Sequence, residues 1–324
     1  MHIEFSRKRK QNALPTRTKV LVYGATGSQG RAVVWKLLQN GHIPHVLTRH
    51  PQKAEAMQHA GAQIVIGDMN DYESLKVASA QMDAVALMIP AFIPDPSLVP
   101  NMANNAINAA KGAGVKLLVY NTSGTVINEM THNPMFDMRL QLIHALQNSG
   151  VLYITIEPTV YMENLRGPWT LPALVASDVL QYPVAADLPL GWIATEDVGA
   201  LIVAAAEHPE LSRRCIPVSG IDNLTGPELA ASFTRGLGRS ISYRELPLPE
   251  FAAIIDQVMG AGVGQGASQA YKFQAENRDK LLMWFDMRPV LTILPIQMTS
   301  AENWAAKNAQ AFSVPVTSSL SSSN

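Results

Sequence analysis

Short apolar runs alternate along this chain with longer segments in which apolar residues return at helical spacing. The apolar runs predict strands at Val20–Tyr23, His45–Thr48, Gln63–Ile66, Ala84–Ile89, Lys116–Tyr120 and Leu152–Ile156. The segments between them predict helices at Gln29–Asn40, Pro51–Ala60, Tyr72–Ala80, Pro100–Ala113 and Met135–Ser149. Strands that alternate with helices in this way are typical of a parallel sheet covered by helices on both faces. The pattern therefore predicts an α/β fold.

The first predicted strand runs directly into a glycine-rich loop, VLVYGATGSQG at residues 20–30. In a dinucleotide-binding loop the first glycine allows a tight turn, the second lets the backbone approach a pyrophosphate, and the third lets the next helix pack closely. A glycine-rich turn without a ligand is the alternative. The flanking strand and helix favour a Rossmann-like doubly wound parallel sheet that binds a dinucleotide. We expect cofactor contacts here from Gly24, Thr26, Gly27, Ser28, Gln29 and Gly30.

The residues after the second strand indicate which nicotinamide cofactor is bound. An Asp or Glu at this point would accept a hydrogen bond from the ribose 2′-hydroxyl of NAD(H). The chain instead has Arg49 and Lys53, whose positive charges suit a 2′-phosphate. We therefore predict that NADP(H) is preferred over NAD(H). The alternative is that Arg49 is only a solvated charge at the start of a helix.

The ends of the later strands supply further cofactor candidates. Asp68 could bind the adenine amino group, with Met69 packed on the ring, or Asp68 could instead cap the helix that follows. Ile89 and Pro90 would run beside the ribose and the nicotinamide. The remaining residues expected to contact the cofactor are Asn121, Thr122, Arg139 and Pro158.

Composition limits the kinds of partner. The chain has 324 residues, 47% of them hydrophobic, and 25 basic against 26 acidic side chains give a net charge of −1. Such a balance favours neither nucleic acid nor an anionic membrane. The longest apolar run, residues 84–93, is too short to span a bilayer. We expect a small-molecule substrate, no metal, and a cytoplasmic protein that is monomeric or homodimeric.

Both ends of the chain are polar and are interpreted as disordered tails. The first, residues 1–17, carries the basic run RKRK, which could bind nucleic acid, although the nearly neutral remainder argues against it. The second covers residues 313–324. Between them we predict an NAD(P)-binding domain at 18–160 plus about 190–222, and a smaller, mostly helical substrate domain at about 161–189 plus 223–312. The single cysteine, Cys215, is expected to be buried in a strand at Cys215–Ser219.

The chain resembles the NmrA-like group of atypical short-chain dehydrogenases. Residues 24–30, GATGSQG, fit the loop G-A-T-G-x-x-G of that group. The likeness continues through Arg49, residues 67–68 (GD), residues 157–169 (EPTVYMENLRGPW), residues 192–199 (WIATEDVG) and residues 302–312. The resemblance implies NADPH-dependent reduction of quinones, dyes or other aromatic acceptors. The alternative that it implies is binding of the cofactor without turnover, by a redox sensor or transcriptional co-regulator.

Catalytic residues are harder to identify. Ordinary short-chain dehydrogenases use Tyr-x-x-x-Lys on the helix before the sixth strand, but residues 134–141 here read PMFDMRLQ. By resemblance, Arg139 takes the place of a lysine that NmrA-like reductases often keep, and an arginine stays protonated at neutral pH. Ser123, Tyr161 and Arg139 are the predicted catalytic residues. Tyr161 could instead be a pocket wall, and a further proton-donor candidate, His132, could be a surface residue.

A reductase could also work without an acid, because a quinone or a cationic dye is electrophilic enough to accept hydride in a dry pocket. Flexible and aromatic side chains suited to flat acceptors, which core packing explains equally well, are Met130, Met135, Met138, Tyr161, Met162 and Trp169. Residues 260–267, GAGVGQGA, predict either a mobile lid or a surface loop. The apolar region after Pro158 favours a reductase, whereas the missing Tyr-x-x-x-Lys favours a cofactor sensor that acts through a protein partner.

Overall fold

The computed structural model describes residues 17–90, 95–278 and 280–313. Most of the two predicted tails therefore lies outside the described residues. The strands are β1 (Lys19–Val22), β2 (Ile43–Thr48), β3 (Gln63–Ile66), β4 (Ala84–Met88), β5 (Leu117–Asn121), β6 (Tyr153–Pro158), β7 (Val160–Tyr161), β8 (Val179–Tyr182), β9 (Trp192–Ile193), β10 (Arg214–Val218) and β11 (Ser242–Glu245).

The helices surround these strands. They are α1 (Ser28–Gln39), α2 (Glu55–His59), α3 (Tyr72–Ser79), α4 (Val99–Gly112), α5 (Pro134–Ser149), α6 (Leu171–Ser177), α7 (Thr195–Glu207), α8 (Gly226–Leu237), α9 (Leu248–Met259), α10 (Val263–Glu276), α11 (Arg288–Ile293) and α12 (Ala301–Lys307). A 3₁₀ turn, Pro51–Ala54, leads into α2. The helix predicted at residues 51–60 is therefore part 3₁₀ and part α.

Seven of the strands among the described residues form one parallel sheet in the order β10-β6-β5-β4-β1-β2-β3. The order reverses between β1 and β4, since β2 and β3 lie on one side of β1 and the later strands on the other. This arrangement confirms the predicted Rossmann-like doubly wound fold. Each of the six predicted strands is found, with ends within two residues of those predicted. In open sheets of this kind, ligands bind where the strand order reverses, outside the carboxyl ends of the strands.

Alternate strand residues pack on opposite faces of this sheet. Val20 and Val22 belong to a core with α1 and α7, whereas Leu21 and Tyr23 belong to a core with α3, α4 and α5. Helices α1 and α7 cross closely at Gly199. A Cβ at this residue would lie 2.9 Å from the carbonyl carbon of Ala32, so the close approach requires glycine. With both faces covered, the sheet is left open at its strand ends and along its two edge strands, β3 and β10.

A second, mostly helical part of the molecule packs over the carboxyl ends of the strands. Its core combines residues of α8, α10 and α12 with a two-stranded parallel sheet of β8 and β11. A smaller cluster around Phe251 and Ile255 joins α9 to α10. The domain boundaries at residues 160, 190 and 222 stay predictions. Within the described residues no helix is long and apolar enough to cross a membrane.

Two expectations from the sequence are wrong. Cys215 is exposed, not buried, because β10 lies at the edge of the sheet. The surface loop expected at residues 260–267 is limited to residues 260–262, where Gly260 and Gly262 form the turn between α9 and α10, and the helix begins at Val263. The mobile lid stays a prediction. Gly264 is needed for close packing, since a Cβ there would lie 2.1 Å from the Ala252 carbonyl oxygen.

Candidate active site

A cavity of about 730 Å³ opens at the carboxyl ends of β1, β4 and β5 and is closed on its other side by α9 and α10. Many predicted site residues line it: Gly24, Thr26, Gly27, Ser28, Gln29, Gly30, Ile89, Pro90, Ser123, Arg139 and Tyr161. The opposite wall consists mainly of apolar and aromatic side chains, among them Trp169, Phe251, Ile255, Met259, Tyr271 and Met283. The fold thus places a polar, backbone-rich wall opposite an apolar one.

The glycine loop has the geometry that a dinucleotide requires. Gly24 has a φ of +61°, in the left-handed region that favours glycine. A Cβ on Gly30 would lie 2.3 Å from the Gly24 carbonyl oxygen, so only glycine lets α1 begin this close to β1. A Cβ on Gly27 would lie 3.3 Å from the same oxygen. Apart from the chain neighbours of Gly27, no other described atom would lie within 4 Å of that Cβ. The loop is therefore a cradle that fits a pyrophosphate. A side chain at residue 27 would fill the space left for that pyrophosphate.

Four polar side chains form a connected network between the glycine loop and the end of β5. The Gln29 side-chain oxygen accepts hydrogen bonds from Asn121 Nδ2 at 2.9 Å and from the Ser123 hydroxyl at 2.8 Å. Asn121 in turn contacts the Tyr161 hydroxyl, 3.0 Å from its Nδ2. Ser123 has a φ of +58°, a conformation that side chains other than glycine seldom adopt. The network ties the loop after β5 to the cofactor cradle.

Tyr161 is poorly suited to donate a proton. Its hydroxyl is buried, and burial raises its pKa well above the ordinary value of 10.0. A phenol with a raised pKa keeps its proton more firmly at neutral pH, so proton transfer from it becomes less favourable. Tyr161 lines the cavity and holds Asn121, which is consistent with the pocket-wall interpretation.

Arg139 extends from α5 to the loop after β5. Its Nε donates to the Thr122 carbonyl oxygen at 3.2 Å and its Nη1 to the Thr125 carbonyl oxygen at 3.3 Å. The guanidinium also lies over the Phe136 ring, 5.4 Å from the ring centre. Burial lowers the pKa of this arginine from its ordinary value. Its neighbours are therefore two carbonyl dipoles and a ring face, each of which favours the charged form.

The residues predicted to choose between NADP(H) and NAD(H) lie apart from the cavity lining. Arg49 Nη1 is 3.4 Å from Asp68 Oδ2, and the Arg49 side chain is 63% exposed. Lys53 is also exposed, on the 3₁₀ turn after β2. The cap of α3 is Asp71, whose carboxylate accepts from the backbone N–H groups of residues 73 and 74, so the interpretation of Asp68 as a cap is wrong. Asp68 is left beside Arg49.

Several other predicted residues do not line the cavity. Asn121, Thr122, Pro158 and Met69 lie outside its lining, although Asn121 and Thr122 hold residues that do line it. Of the predicted wall residues Met135, Tyr161 and Trp169 line it, whereas Met130 is exposed and Met138 and Met162 pack in the cores. His132 is exposed on the loop before α5. Among the described residues no group of three or more His, Cys, Asp or Glu could hold a metal ion.

The wall formed by α9 and α10 is not predicted from the sequence. Phe251 contacts Trp169 and Tyr271 edge to face, with ring centres 5.7 Å and 5.2 Å apart. The Tyr271 hydroxyl lies 2.5 Å from the Tyr182 hydroxyl, which accepts from Asn164 Nδ2 at 3.1 Å. Burial raises the pKa of Tyr271 to about 12. The apolar period of residues 248–259 signals a helix, but no motif signals that it faces a cavity.

Comparison with known proteins agrees with this geometry. The sequence model of the NmrA-like family matches residues 16–284. An NAD(P)H azoreductase of Xenophilus azovorans is 29% identical over 259 residues, which cover 78% of this chain and 82% of the azoreductase. A photosystem II assembly factor, Ycf39 of Synechocystis, is 28% identical over 235 residues, 71% of either chain.

The fold is also that of a solved reductase. The NADPH-dependent quinone oxidoreductase of Escherichia coli, complexed with NADPH, matches with a TM-score of 0.72 at 21% identity. The match covers 89% of this chain and 98% of that protein. The match extends over most of both chains, so it shows a shared fold.

Proposed function

Since the chain belongs to the NmrA-like family, we propose that it is an NAD(P)H-dependent oxidoreductase that reduces a small aromatic or quinone-like acceptor. The observation that carries this proposal is the cavity itself. It has the volume of a ligand site, and its two walls are the glycine loop suited to a dinucleotide and an apolar surface. The names of the azoreductase and the quinone oxidoreductase support the same class of reaction.

The residues have separate tasks in this proposal. The glycine loop would hold the pyrophosphate, with Gly27 leaving room for it and α1 directing its N–H groups toward it. A bound nicotinamide would supply a hydride, which is two electrons and one proton. The network around Gln29 and Asn121 would fix the loop that faces it. The wall of α9 and α10 would orient a flat acceptor and exclude water.

Protonation of the product does not require a dedicated acid. A quinone that receives a hydride becomes a hydroquinone anion, which takes one further proton from water. Ser123 and Tyr161 are then assigned to positioning, because the Ser123 hydroxyl already donates to Gln29 and the Tyr161 pKa is raised. This assignment accounts for the missing Tyr-x-x-x-Lys without excluding catalysis.

The test is the rate of NADPH oxidation by the purified protein with quinones, azo dyes and aldehydes, with cofactor binding measured in the same preparation. Turnover of a quinone or azo compound supports the proposal. Tight cofactor binding with no turnover of any acceptor would contradict it.

Preference for NADP(H) is part of the proposal and rests on the Arg49–Asp68 pair. If Arg49 holds a 2′-phosphate, Asp68→Asn removes a competing carboxylate, so NADPH should bind a few-fold more tightly while NADH binds unchanged. Arg49→Asp should weaken NADPH by about tenfold or more and NADH much less. Equal loss of both cofactors in Arg49→Asp would contradict the assignment.

A second function is favoured by one relative and by the absent Tyr-x-x-x-Lys. The photosystem II assembly factor indicates that a chain of this kind can act through protein assembly. In that case the protein would bind NADP(H) as a sensor or co-regulator and act through a protein partner. The acceptor assay separates the two, since only the reductase consumes NADPH.

A further inference from the structure

The described lining of the cavity has a single charged side chain. Among the described residues that line it, Arg139 alone carries a charge, and no Asp, Glu, Lys or His belongs to the lining. The rest of the surface is backbone, small polar groups such as Thr125, and apolar side chains such as Met135 and Phe251. A ligand that enters therefore meets one fixed positive charge and no negative one.

Arg139 is held without a counter-ion. The residue is 7% exposed, and none of the ion pairs among residues 17–90, 95–278 and 280–313 includes it. Nε and Nη1 are occupied by the carbonyl oxygens of Thr122 and Thr125. Among the described residues, Nη2 has no hydrogen-bond acceptor. Nη2 lies against Gly124, where a Cβ would come within 2.5 Å of it. One edge of the guanidinium is thus left for a ligand in the cavity.

A buried charge without a counter-ion raises the free energy of the empty site, and an anion that binds beside it lowers that free energy. The phosphates of the cofactor are a poor match. The glycine loop follows β1, whereas Arg139 is fixed to the loop after β5, and β4 lies between those strands. Since neighbouring strands are about 4.8 Å apart, the ends of β1 and β5 are separated by roughly 10 Å. The anion is then expected on the other ligand.

We propose that the acceptor is an anionic aromatic molecule whose carboxylate or sulfonate pairs with Arg139. The proposal rests on the proposed reductase function and narrows its substrate class. It also reverses one expectation from the sequence, since a cationic dye would bring a second positive charge into a cavity with no acidic side chain in its described lining. The apolar wall of α9 and α10 would hold the aromatic part of the acceptor.

The first experiment measures binding and needs no turnover. Naphthalene-2-carboxylate, 2-(hydroxymethyl)naphthalene and a naphthyl trimethylammonium ion are titrated into the protein saturated with NADP⁺. We expect the carboxylate to bind about tenfold or more tightly than the neutral probe, and the cation most weakly. Arg139→Met should abolish this preference and Arg139→Lys should retain most of it. Equal affinity for the three probes in the wild-type protein would overturn the proposal.

A second pair of variants keeps the result interpretable. Gly124→Ala leaves the charge in place but displaces the guanidinium, so it should also reduce the preference for the carboxylate. Arg288→Met, at a side chain that is 90% exposed, removes an arginine outside the cavity and should change nothing. If Arg139→Met weakens NADP⁺ as strongly as the carboxylate, Arg139 serves the cofactor phosphates and the proposal is wrong.

The second experiment measures turnover of 1,4-naphthoquinone and its 2-sulfonate. The ratio of their kcat/KM values should fall about tenfold from the wild-type protein to Arg139→Met, since the intrinsic reactivity of each quinone cancels between proteins. An unchanged ratio would overturn the proposal. If neither quinone is reduced while naphthalene-2-carboxylate binds through Arg139, the reductase function fails and the anion site stands.

Discussion

The two walls of the cavity are built on different principles. The wall at the ends of β1 and β5 uses backbone geometry, in which Gly24, Gly27 and Gly30 are defined by a positive φ or a close approach. The wall of α9 and α10 uses side-chain volume, with Phe251 and Tyr271 packed edge to face. Backbone geometry fixes a ligand that many proteins share, whereas side-chain volume can change with the substrate. Under the proposed function, this difference would let one wall bind the cofactor and the other select the acceptor.

The largest effect is expected from Gly27→Val. The φ of −82° and ψ of 171° at Gly27 suit valine, so the fold should survive, but the side chain would fill the space assigned to the pyrophosphate. We expect NADPH and NADH both to bind at least about 100-fold more weakly, or about 3 kcal/mol. Gly266→Val, where a Cβ meets nothing within 4 Å, is the matched control. Normal cofactor affinity in Gly27→Val would mean that the glycine loop does not hold the pyrophosphate.

The opposite wall is tested by Phe251→Leu, because a smaller side chain there should loosen the acceptor and leave the cofactor alone. We expect the KM for a quinone to rise about tenfold, with NADPH affinity unchanged within twofold, as measured by steady-state kinetics and fluorescence titration. Phe233→Leu is the control, since Phe233 is equally buried but packs on Trp304 and Phe312 away from the cavity lining. If both variants alter KM alike, the effect is one of stability and the wall has no selective role.

A smaller effect is expected from Tyr271→Phe. If Asn164 donates to Tyr182 and Tyr182 donates to Tyr271, the Tyr271 O–H remains free to point into the cavity toward an acceptor oxygen. Its loss should lower kcat/KM about fivefold, which corresponds to roughly 1 kcal/mol for one neutral hydrogen bond. Tyr243→Phe removes a hydroxyl that donates to the Val184 carbonyl oxygen and should leave kcat/KM unchanged. If Tyr271→Phe leaves kcat/KM unchanged, the Tyr271 hydroxyl makes no contact with the acceptor.

The smallest effect concerns a contact that joins the two parts of the molecule. Asp197, in the first turn of α7, accepts hydrogen bonds from the backbone N–H and the hydroxyl of Thr299. Burial raises its pKa above the ordinary 3.8. Its contribution to stability is therefore fully present below about pH 3.8 and is lost as pH rises through the folded-state pKa.

Asp197→Asn removes that pH dependence. The free energy of unfolding of the wild-type protein, minus that of the variant, should fall as pH rises from 3.5 to 7, as measured by denaturant titration at each pH. A difference that is constant or increases with pH would mean that the carboxylate is stabilised as an anion in the folded protein.

The contrast between the walls also explains which features of the molecule can be predicted from the sequence. The cradle and the sheet are predictable because glycine spacing and apolar periodicity are local, and the strand ends at Thr48 and Ile66 were predicted to the residue. The edge position that exposes Cys215 depends on strand order, which is not local. The meeting of Phe251, Trp169 and Tyr271 depends on the packing of three distant segments. Arg139 was identified as a candidate, but its lack of a counter-ion is visible only in three dimensions.

Hydride transfer from bound NADPH to an acceptor is tested most directly in a single turnover without oxygen. Protein that carries one equivalent of bound NADPH is mixed with a 1,4-naphthoquinone, and the NADPH absorbance is followed. The experiment is done with unlabelled cofactor and with each of the two forms deuterated at C4. Bound NADPH should be oxidised at least about 100-fold faster than free NADPH, and more slowly with one deuterated form than with the other. Oxidation of bound NADPH no faster than in buffer would contradict the proposed hydride transfer.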